Sequence, residues 1–255
     1  MAGEPGGEQQ PAGEPALARK VRGHVALGPD DLGALARLCR PEAVPRGGVL
    51  LDREHAPEAF LIERGWAMRF AILPNGRRQI LGFALPGDTV GLSAVILGQS
   101  SESVAAITPL TASRLDAASL PAVLHDHPAL GRAFLWGAAR DHALLCDRLT
   151  SLGRRGAFER IARALLELTL RWSAVRDAAA GAVLPLTQPM LGDALGLSTV
   201  HVNRTFQRLR ATGLVTANPM AIDDPTGLAR LAKIEPGDPL HPLLEAWRAT
   251  VTSAT

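Results

Sequence analysis

Residues 186–214 hold the pattern that most restricts the fold, because they spell two short helices joined by a tight turn. Thr187 comes two residues before Pro189, which is typical of a helix start, since a hydroxyl caps free amides and proline costs little in the first turn. The first helix is predicted over Gln188–Leu195. Gly196 can adopt the left-handed conformation that ends a helix. The segment therefore begins as a capped helix followed by a turn.

A second helix follows the turn and is predicted over Thr199–Thr212. Ser198 is its cap, and Gly213 stops it. The helical repeat turns its apolar side chains inward, and these are Val202, Phe206 and Leu209. The opposite face is mostly polar and is made up of Thr199, Val200, His201, Asn203, Arg204, Gln207 and Arg208. The DNA major groove accepts a short helix with such a face, so the pattern predicts a helix-turn-helix that binds DNA.

The net charge of +2 becomes informative when it is divided along the chain. Residues 153–214 contain nine basic side chains, all of them arginine, against four acidic ones. Arginine pairs with phosphate in a forked geometry that lysine cannot reproduce. The positive excess therefore lies in the same half of the chain as the helix-turn-helix, although an arginine-rich helical segment can also be an ordinary solvated face.

The N-terminal half is predicted to be mostly β-structure. Residues 1–16 have almost no bulky apolar groups, so a disordered tail is expected over residues 1–20. Between positions 47 and 116, short apolar runs alternate with turn signals, as in a series of strands. Asn75 followed by Gly76 marks a hairpin tip, because this pair supplies the positive φ angles that such turns need. Many short strands at this spacing favour a compact barrel or roll.

The periodicity then becomes helical. From Pro128 the chain has no proline break over about 24 residues, which would span roughly 36 Å as a helix. Its apolar side chains recur at steps of three, four or seven and share one face, and they are Leu130, Phe134, Ala138, Leu145, Leu149 and Leu152. Such a helix between two domains favours a dimer seam; the alternative is that it packs on the chain's own β-domain. Residues 153–156 are interpreted as a hinge.

Composition argues against several classes of protein. No stretch approaches the roughly 18 consecutive apolar residues of a membrane span, and the first residues lack the features of a signal peptide. A cytoplasmic protein without membrane contact is therefore expected. Cys39 and Cys146 are too few for a disulfide scaffold, and they cannot supply the four thiolates of an iron–sulfur cluster within one chain.

The run LTQPMLGDALGLSTVHVNRTFQRLRATGLV, residues 186–215, resembles the C-terminal domain of the Crp/Fnr superfamily of bacterial transcription regulators. The order of roll, long helix and helix-turn-helix is similar too, so that the resemblance covers residues 22–225. It implies an α+β fold with an N-terminal β-roll like that of cyclic-nucleotide-binding domains, a long dimerisation helix and a C-terminal winged helix-turn-helix.

The same resemblance implies a division of the chain and a set of partners. The expected parts are a disordered tail at 1–20, a β-roll sensor-like domain at 21–118, a dimerisation helix at 119–152, a DNA-binding domain at 153–225 and a C-terminal extension at 226–255. The expected function is non-enzymatic: a homodimer that regulates transcription on a palindromic operator in double-stranded DNA, with RNA polymerase as a further partner. An unknown effector in the roll and a constitutive, effector-independent regulator both stay open.

The resemblance also assigns DNA contacts residue by residue. Arg204 stands at the position of an arginine that binds guanine, whereas Val200 replaces a glutamate that accepts a hydrogen bond from cytosine in many members. We therefore expect a half-site unlike those of the cyclic-AMP receptor and the oxygen regulator. The residues expected to contact bases are Thr199, Val200, Asn203 and Arg204. Those expected to contact phosphates are Thr187, Gln188, Ser198, His201 and Arg208.

Cyclic-nucleotide binders of the superfamily carry Gly-Glu for the ribose and Arg-Ser for the phosphate. The corresponding stretches here are Gly91-Leu92-Ser93 and Ser100-Ser101-Glu102, which supply neither the ribose-binding glutamate nor the phosphate-binding arginine. A phosphate buried there would be unpaired, and the cost of an uncompensated charge argues against binding. Cyclic AMP is therefore not expected, and no cofactor is predicted.

The histidines leave two further alternatives. A haem ligand could come from His24, His55, His125, His127 or His142. The pair His125 and His127 would suit a cupin-like metal enzyme, but residues two apart do not share a helix face, and the strands offer no third ligand at metal spacing. Neither alternative is favoured over DNA binding.

Overall fold

The computed structural model describes residues 14–176, 183–217 and 219–253. It has the predicted α+β architecture: a β-roll flanked by short helices, a long helix, and a helical domain with a two-stranded wing. The helices are α1 (Ala16–Val21), α2 (Pro29–Leu38), α3 (Leu92–Leu97), α4 (Leu120–Asp126), α5 (Pro128–Arg154), α6 (Ala157–Arg176), α7 (Gln188–Leu195), α8 (Thr199–Arg210), α9 (Pro225–Leu231) and α10 (His241–Ser253). The strands are β1 (Cys39–Val44), β2 (Val49–Leu51), β3 (Phe60–Arg64), β4 (Ala67–Ile72), β5 (Arg78–Ala84), β6 (Thr89–Val90), β7 (Ser103–Ala106), β8 (Leu110–Leu115), β9 (Val215–Ala217) and β10 (Met220–Ile222).

Two four-stranded antiparallel sheets form the roll, with strand orders β1-β8-β3-β6 and β2-β7-β4-β5. Buried apolar side chains from both sheets fill the space between them, among them Phe60, Ile62, Val90, Val104 and Leu110. The predicted hairpin joins β4 to β5: the Leu73 N–H donates to the Arg77 carbonyl at 2.8 Å, and Gly76 has a φ of 78°. The roll is thus a packed sandwich with the turn where the sequence places it.

The prediction of a disordered tail up to residue 20 is wrong for its last part. Residues 16–21 form α1, and its Leu17 and Val21 lie in the same buried cluster as Leu38 of α2. A six-residue helix is too short to be stable alone, so its order comes from burial, which local sequence does not reveal. The predicted tail over residues 1–13 lies outside the described residues.

The long helix α5 contains 27 residues, which corresponds to about 40 Å. It ends where Arg155 becomes extended, inside the predicted hinge. The six residues predicted for the dimer seam do not share one environment. Leu130 and Phe134 are buried against α1, α2 and α4 of the same chain, so a second chain cannot reach them. The other four are exposed or partly exposed, and they are Ala138, Leu145, Leu149 and Leu152.

The C-terminal extension predicted over residues 226–255 is part of the DNA-binding domain. Helix α6 is the core helix of this domain, and both α9 and α10 pack on it. Leu228 of α9 and Leu244 of α10 are buried in the same apolar cluster as Leu165 of α6. The prediction of a boundary at 225 is therefore wrong, because α9 begins at Pro225 and completes the core.

The DNA-binding domain also packs directly on the roll. Trp66, just before β4, meets Trp172 of α6 with ring centroids 5.3 Å apart, and Phe83 belongs to the same buried cluster. Arg78 of β5 pairs with Asp193 of α7 at 2.7 Å. These contacts fix the orientation of the helix-turn-helix relative to the roll.

Candidate nucleic-acid interface

Helix α7 has the limits and caps that the sequence predicts. Thr187 Oγ1 accepts a hydrogen bond from the Met190 N–H at 3.4 Å, and Gly196 ends the helix with a φ of 63°. Gly192 is a further requirement that the pattern alone does not show, since a Cβ there would lie 2.8 Å from the carbonyl oxygen of Leu197. The tight turn therefore depends on a position without a side chain as well as on the capping residues.

Helix α8 begins as predicted, with Ser198 Oγ accepting a hydrogen bond from the His201 N–H at 3.3 Å. It ends at Arg210, two residues before the predicted Thr212, and the chain then turns through Gly213 with a φ of 72°. The apolar residues predicted to face inward are fully buried, and they are Val202, Phe206 and Leu209. The opposite face of α8 is left open to solvent.

The predicted contact residues lie together on this open face. Those predicted for bases are all exposed, and they are Thr199, Val200, Asn203 and Arg204. Of those predicted for phosphates, Gln188 is half-buried and the exposed ones are Thr187, Ser198, His201 and Arg208. Val200 is 71% exposed, so its side chain is accessible to a ligand. Within the described ranges Arg204 forms neither an ion pair nor a hydrogen bond, so its guanidinium is available to a ligand.

Two of these residues are bonded to each other. The Asn203 Nδ2 group donates to Gln188 Oε1 at 3.2 Å, which connects α8 to the first residue of α7. An asparagine amide has two N–H donors and one oxygen acceptor. Asn203 therefore still presents one donor and one acceptor on the exposed face.

Arg208 is held at the flank of the same surface. Its guanidinium lies 5.3 Å from the ring centre of Phe158 on α6, within the range of a cation–π contact. The contact orients the side chain without neutralising its charge. Arg208 can therefore meet an anion beside α8.

Two arginines of α6, Arg163 and Arg171, have a different use, because carboxylates inside the protein neutralise them. Arg163 is buried and pairs with Asp147 at 2.6 Å and with Asp238 at 2.7 Å. Arg171 pairs with Asp88 of the roll at 2.5 Å. The predicted positive excess of this half of the chain is therefore only partly available to DNA.

The roll does not offer a cyclic-nucleotide site at the corresponding positions. Gly91 has a φ of 73° and leads into α3, where Leu92 brings no carboxylate. The side chain of Glu102 is buried and pairs with Arg69 at 2.8 Å. A phosphate placed here would meet the carboxylate of Glu102, and the nearby guanidinium of Arg69 is already paired with that carboxylate, so the residues present do not fit a cyclic nucleotide.

Two of the histidines considered as ligands have partners within the chain. His24 stacks on Trp136 with ring centroids 4.6 Å apart, and His127 Nδ1 lies 3.4 Å from an oxygen of Asp31. Across residues 14–176, 183–217 and 219–253, no three potential metal ligands come together. In the same residues, no helix is both long and apolar enough to cross a membrane.

Helix α5 exposes an apolar stripe on the side that faces away from its own chain. Leu135 is 70% exposed, Leu145 is 52% exposed and Leu149 is 69% exposed, and the exposed Ala138 lies between the first two. The steps of three, seven and four residues place all four on one face. The sequence predicted only part of this stripe. It missed Leu135, and it included Leu130 and Phe134, which are buried.

Comparison with known proteins agrees with this organisation. The family pattern described as a Crp-like helix-turn-helix domain matches residues 159–231, and the pattern described as a cyclic nucleotide-binding domain matches residues 41–127. The nitrogen fixation regulation protein FixK of Bradyrhizobium diazoefficiens is 33% identical over 189 residues, which cover 73% of this chain and 79% of that protein. The transcriptional activatory protein AadR of Rhodopseudomonas palustris is 29% identical over 194 residues, which cover 76% of this chain and 80% of that protein.

The fold is also found among solved structures. The structure of FixK2 from Bradyrhizobium japonicum superposes with a TM-score of 0.68 at 24% identity and covers 77% of this chain and 98% of that one. Together with the exposed α8 face and the two matched domains, these relatives identify the family. The chain belongs to the Crp/Fnr superfamily and is a DNA-binding transcription regulator of the Crp/Fnr type.

Proposed function

We propose that this regulator acts as a homodimer on a two-fold symmetric DNA site and places one α8 in the major groove of each half-site. The observation that carries the proposal is the open face of α8, where Arg204 is exposed and uncommitted. A major groove is wide enough for one helix, and guanine presents two acceptors there that match a guanidinium. From the family we also propose that RNA polymerase is a partner and that the protein is cytoplasmic. We further propose that it has no catalytic site.

The hydrogen bond between Asn203 of α8 and Gln188 of α7 supports a proposal for one base of the half-site. Because Gln188 accepts one N–H of Asn203, one N–H donor and the oxygen acceptor of Asn203 are left for a base. This pair matches N7 and N6 of adenine, the base that asparagine commonly contacts in a bidentate manner. Val200 cannot accept a hydrogen bond and is placed to touch a thymine methyl group, with Thr199 beside it. We therefore propose a half-site with guanine opposite Arg204 and adenine opposite Asn203.

The phosphate contacts proposed for the flanks follow from the caps. The hydroxyls of Thr187 and Ser198 accept from amides of their own helices and keep their O–H donors for an anion. Both also mark helix N-termini, where the partial positive charge favours phosphate. Gln188, His201 and Arg208 extend this row and would set the register of the domain on the duplex.

Selection of binding sites from a randomised DNA pool tests the proposed function directly. We expect the purified chain to enrich a two-fold symmetric site with a guanine and an adenine in each half. The variant Asn203→Ala should keep the guanine and lose the preference for adenine, while Arg37→Ala, which removes an exposed arginine on α2, should return the wild-type site. Enrichment of no sequence, or of the half-site of the cyclic-AMP receptor or the oxygen regulator, would contradict the proposal.

The exposed stripe of α5 is proposed as the seam between two copies of the chain. A stripe with steps of three, four and seven residues is the pattern with which parallel helices pack side by side. Leu149→Glu would place a charge in this seam and is expected to give monomers at micromolar concentration. Ile72→Glu is the matched control, because Ile72 is 50% exposed on the β4–β5 hairpin outside the seam. Sedimentation analysis decides the matter: dimeric Leu149→Glu, or a monomeric wild type, would rule this seam out.

A further inference from the structure

One arginine links the long helix to Glu102, which belongs to the stretch that the resemblance matches to the phosphate site of cyclic-nucleotide binders. Arg69 lies on β4, and its Nε and Nη2 atoms approach the carboxylate of Glu102, just before β7, at 2.8–3.0 Å. Its Nη1 atom approaches Asp141 of α5 at 2.9 Å. We call these three residues the Arg69 bridge. It connects both inner strands of one sheet to the helix that leads to the DNA-binding domain.

The Arg69 bridge is largely, though not fully, shielded from water. The side chain of Glu102 is only 8% exposed, and those of Arg69 and Asp141 are each about one quarter exposed. Burial alone would lower the pKa of Arg69, but the two carboxylates outweigh it and raise that pKa above its usual value. Charged hydrogen bonds in such a setting are stronger than those at a surface and resist screening by salt.

The bridge also occupies the place where an anionic effector would need a cation. A phosphate here would compete with Glu102 for Arg69 and would face the negative charge of Glu102 itself. Removing a buried carboxylate from its arginine is costly, because the charge stays uncompensated. The site is therefore already satisfied by the chain's own residues.

Further ion pairs carry the connection from α5 to the DNA-binding domain. Arg148 of α5 pairs with Glu167 of α6 at 2.5 Å, and Glu167 also accepts from Arg171. Arg171 returns to the roll through Asp88. A continuous series of ion pairs thus connects the roll, the long helix and the DNA-binding domain, while the face of α8 remains exposed to solvent.

We propose that the Arg69 bridge replaces a bound effector, so that this chain holds its DNA-binding form with no small molecule in the roll. The inference rests on the proposed DNA-binding function. It favours the constitutive alternative for this regulator. It also makes Asp141 a positioning residue for DNA affinity, although that side chain belongs to the roll–helix contact and not to the α8 face.

The sharpest test is Asp141→Asn, which removes the link to α5 and leaves the Arg69–Glu102 pair in place. We expect the wild type, purified without added ligand, to bind its selected operator specifically. Asp141→Asn should weaken operator binding at least about fivefold, the lower end of typical coupling between sites. Asp141→Glu, which keeps the charge, should recover most of the affinity. Arg114→Gln is the matched control, because Arg114 also bridges two carboxylates, Glu42 and Glu58, but does so within the roll.

Hydrogen exchange supplies a second readout that does not involve DNA. The amides of α5 around Asp141 and of β7 should exchange faster in Asp141→Asn than in Arg114→Gln, and melting curves will show that both variants are folded. Equal operator affinity in Asp141→Asn and the wild type, or a wild type that binds only after a cyclic nucleotide is added, would overturn the inference. A wild type that binds no DNA under any condition while Asp141→Asn still speeds exchange would instead contradict the proposed function and leave the bridge as a structural link.

Discussion

Helices α6 and α8 belong to one domain and are both rich in arginine, but they use the residue in opposite ways. On α6, Arg163 and Arg171 are buried or nearly so and are matched by carboxylates at 2.5–2.8 Å. On α8, Arg204 and Arg208 are exposed and meet no carboxylate in the described chain. A count of basic residues does not distinguish the two helices. Burial and ion pairing do: they separate the structural arginines of α6 from the arginines of α8 that are free to bind a ligand.

The physical basis of the difference is where the charge finds its compensation. An arginine inside the protein must be paired there, because an isolated charge in a low-dielectric interior is unstable. An arginine left in water at a helix surface can keep its charge for a phosphate or a base. Mutations should therefore separate the two sets: losses on α6 should affect stability, and losses on α8 should affect DNA binding.

The largest effect on stability is expected for Arg163→Ala. The change leaves Asp238 without its ion-pair partner and leaves Asp147 with Arg155 alone, and breaking a buried pair in this way typically costs about 3–5 kcal/mol. Urea unfolding measures the loss. Arg208→Ala is the internal control and should change the free energy of unfolding by no more than about 1 kcal/mol, the value of the exposed cation–π contact that it removes. Similar losses in the two variants would abolish the distinction between the helices.

A second prediction concerns pH and tests whether Asp88 acts as a buried carboxylate paired with Arg171. Burial alone would raise the pKa of Asp88, but Lys20 and Arg171 outweigh it and lower that pKa to about 2. Because the pKa of Asp88 in the folded state lies below its value of about 4 in the unfolded chain, the ionised carboxylate stabilises the folded state by about 2–3 kcal/mol. This stabilisation is fully present above about pH 4 and is lost as the pH falls toward 2.

The comparison with Asp88→Asn isolates this contribution. Above about pH 5 the wild type should be more stable than the variant, and the difference should shrink toward pH 2 as Asp88 takes up its proton. Denaturant unfolding at a series of pH values gives the curve. A difference that stays constant with pH would show that Asp88 does not titrate as a buried, paired carboxylate.

The smallest effect is expected for Arg208→Ala in DNA binding. A single phosphate contact adds about one unit to the salt dependence of binding, so the slope of log affinity against log salt should fall by about 1. Specific and random DNA should be affected alike. Arg37→Ala serves as the control and should leave the slope unchanged. A change in sequence preference on loss of Arg208 would reassign it from phosphate to base contact.

How much of the molecule could be predicted depends on how local its determinants are. The limits of α7 and the start of α8 follow from capping residues and a turn glycine within a few positions, and they are confirmed almost residue by residue. Strand β1 is less evident, because it is an edge strand that contains Pro41 and has no regular alternation of buried and exposed positions. Helices α1 and α10 owe their order to burial against distant elements.

Long-range polar contacts lie beyond local patterns. Arg69 is separated from Glu102 by 33 positions and from Asp141 by 72, so no spacing rule connects them. The helical stripe of α5 could be identified from its period, but the period does not tell which part meets the chain's own roll. Leu130 and Phe134 are covered by α1 and α4, and only the later part of the stripe is left for a partner.

The comparison between α6 and α8 depends most directly on what Arg204 does. Binding of the selected operator and of a scrambled duplex should be measured by fluorescence anisotropy for the wild type and for Arg204→Ala. We predict that Arg204→Ala keeps its fold and its affinity for scrambled DNA within a small factor, but loses about 1–3 kcal/mol of discrimination in each half-site. A variant that still prefers the selected operator as strongly as the wild type would contradict the assignment of α8 as the helix that reads DNA.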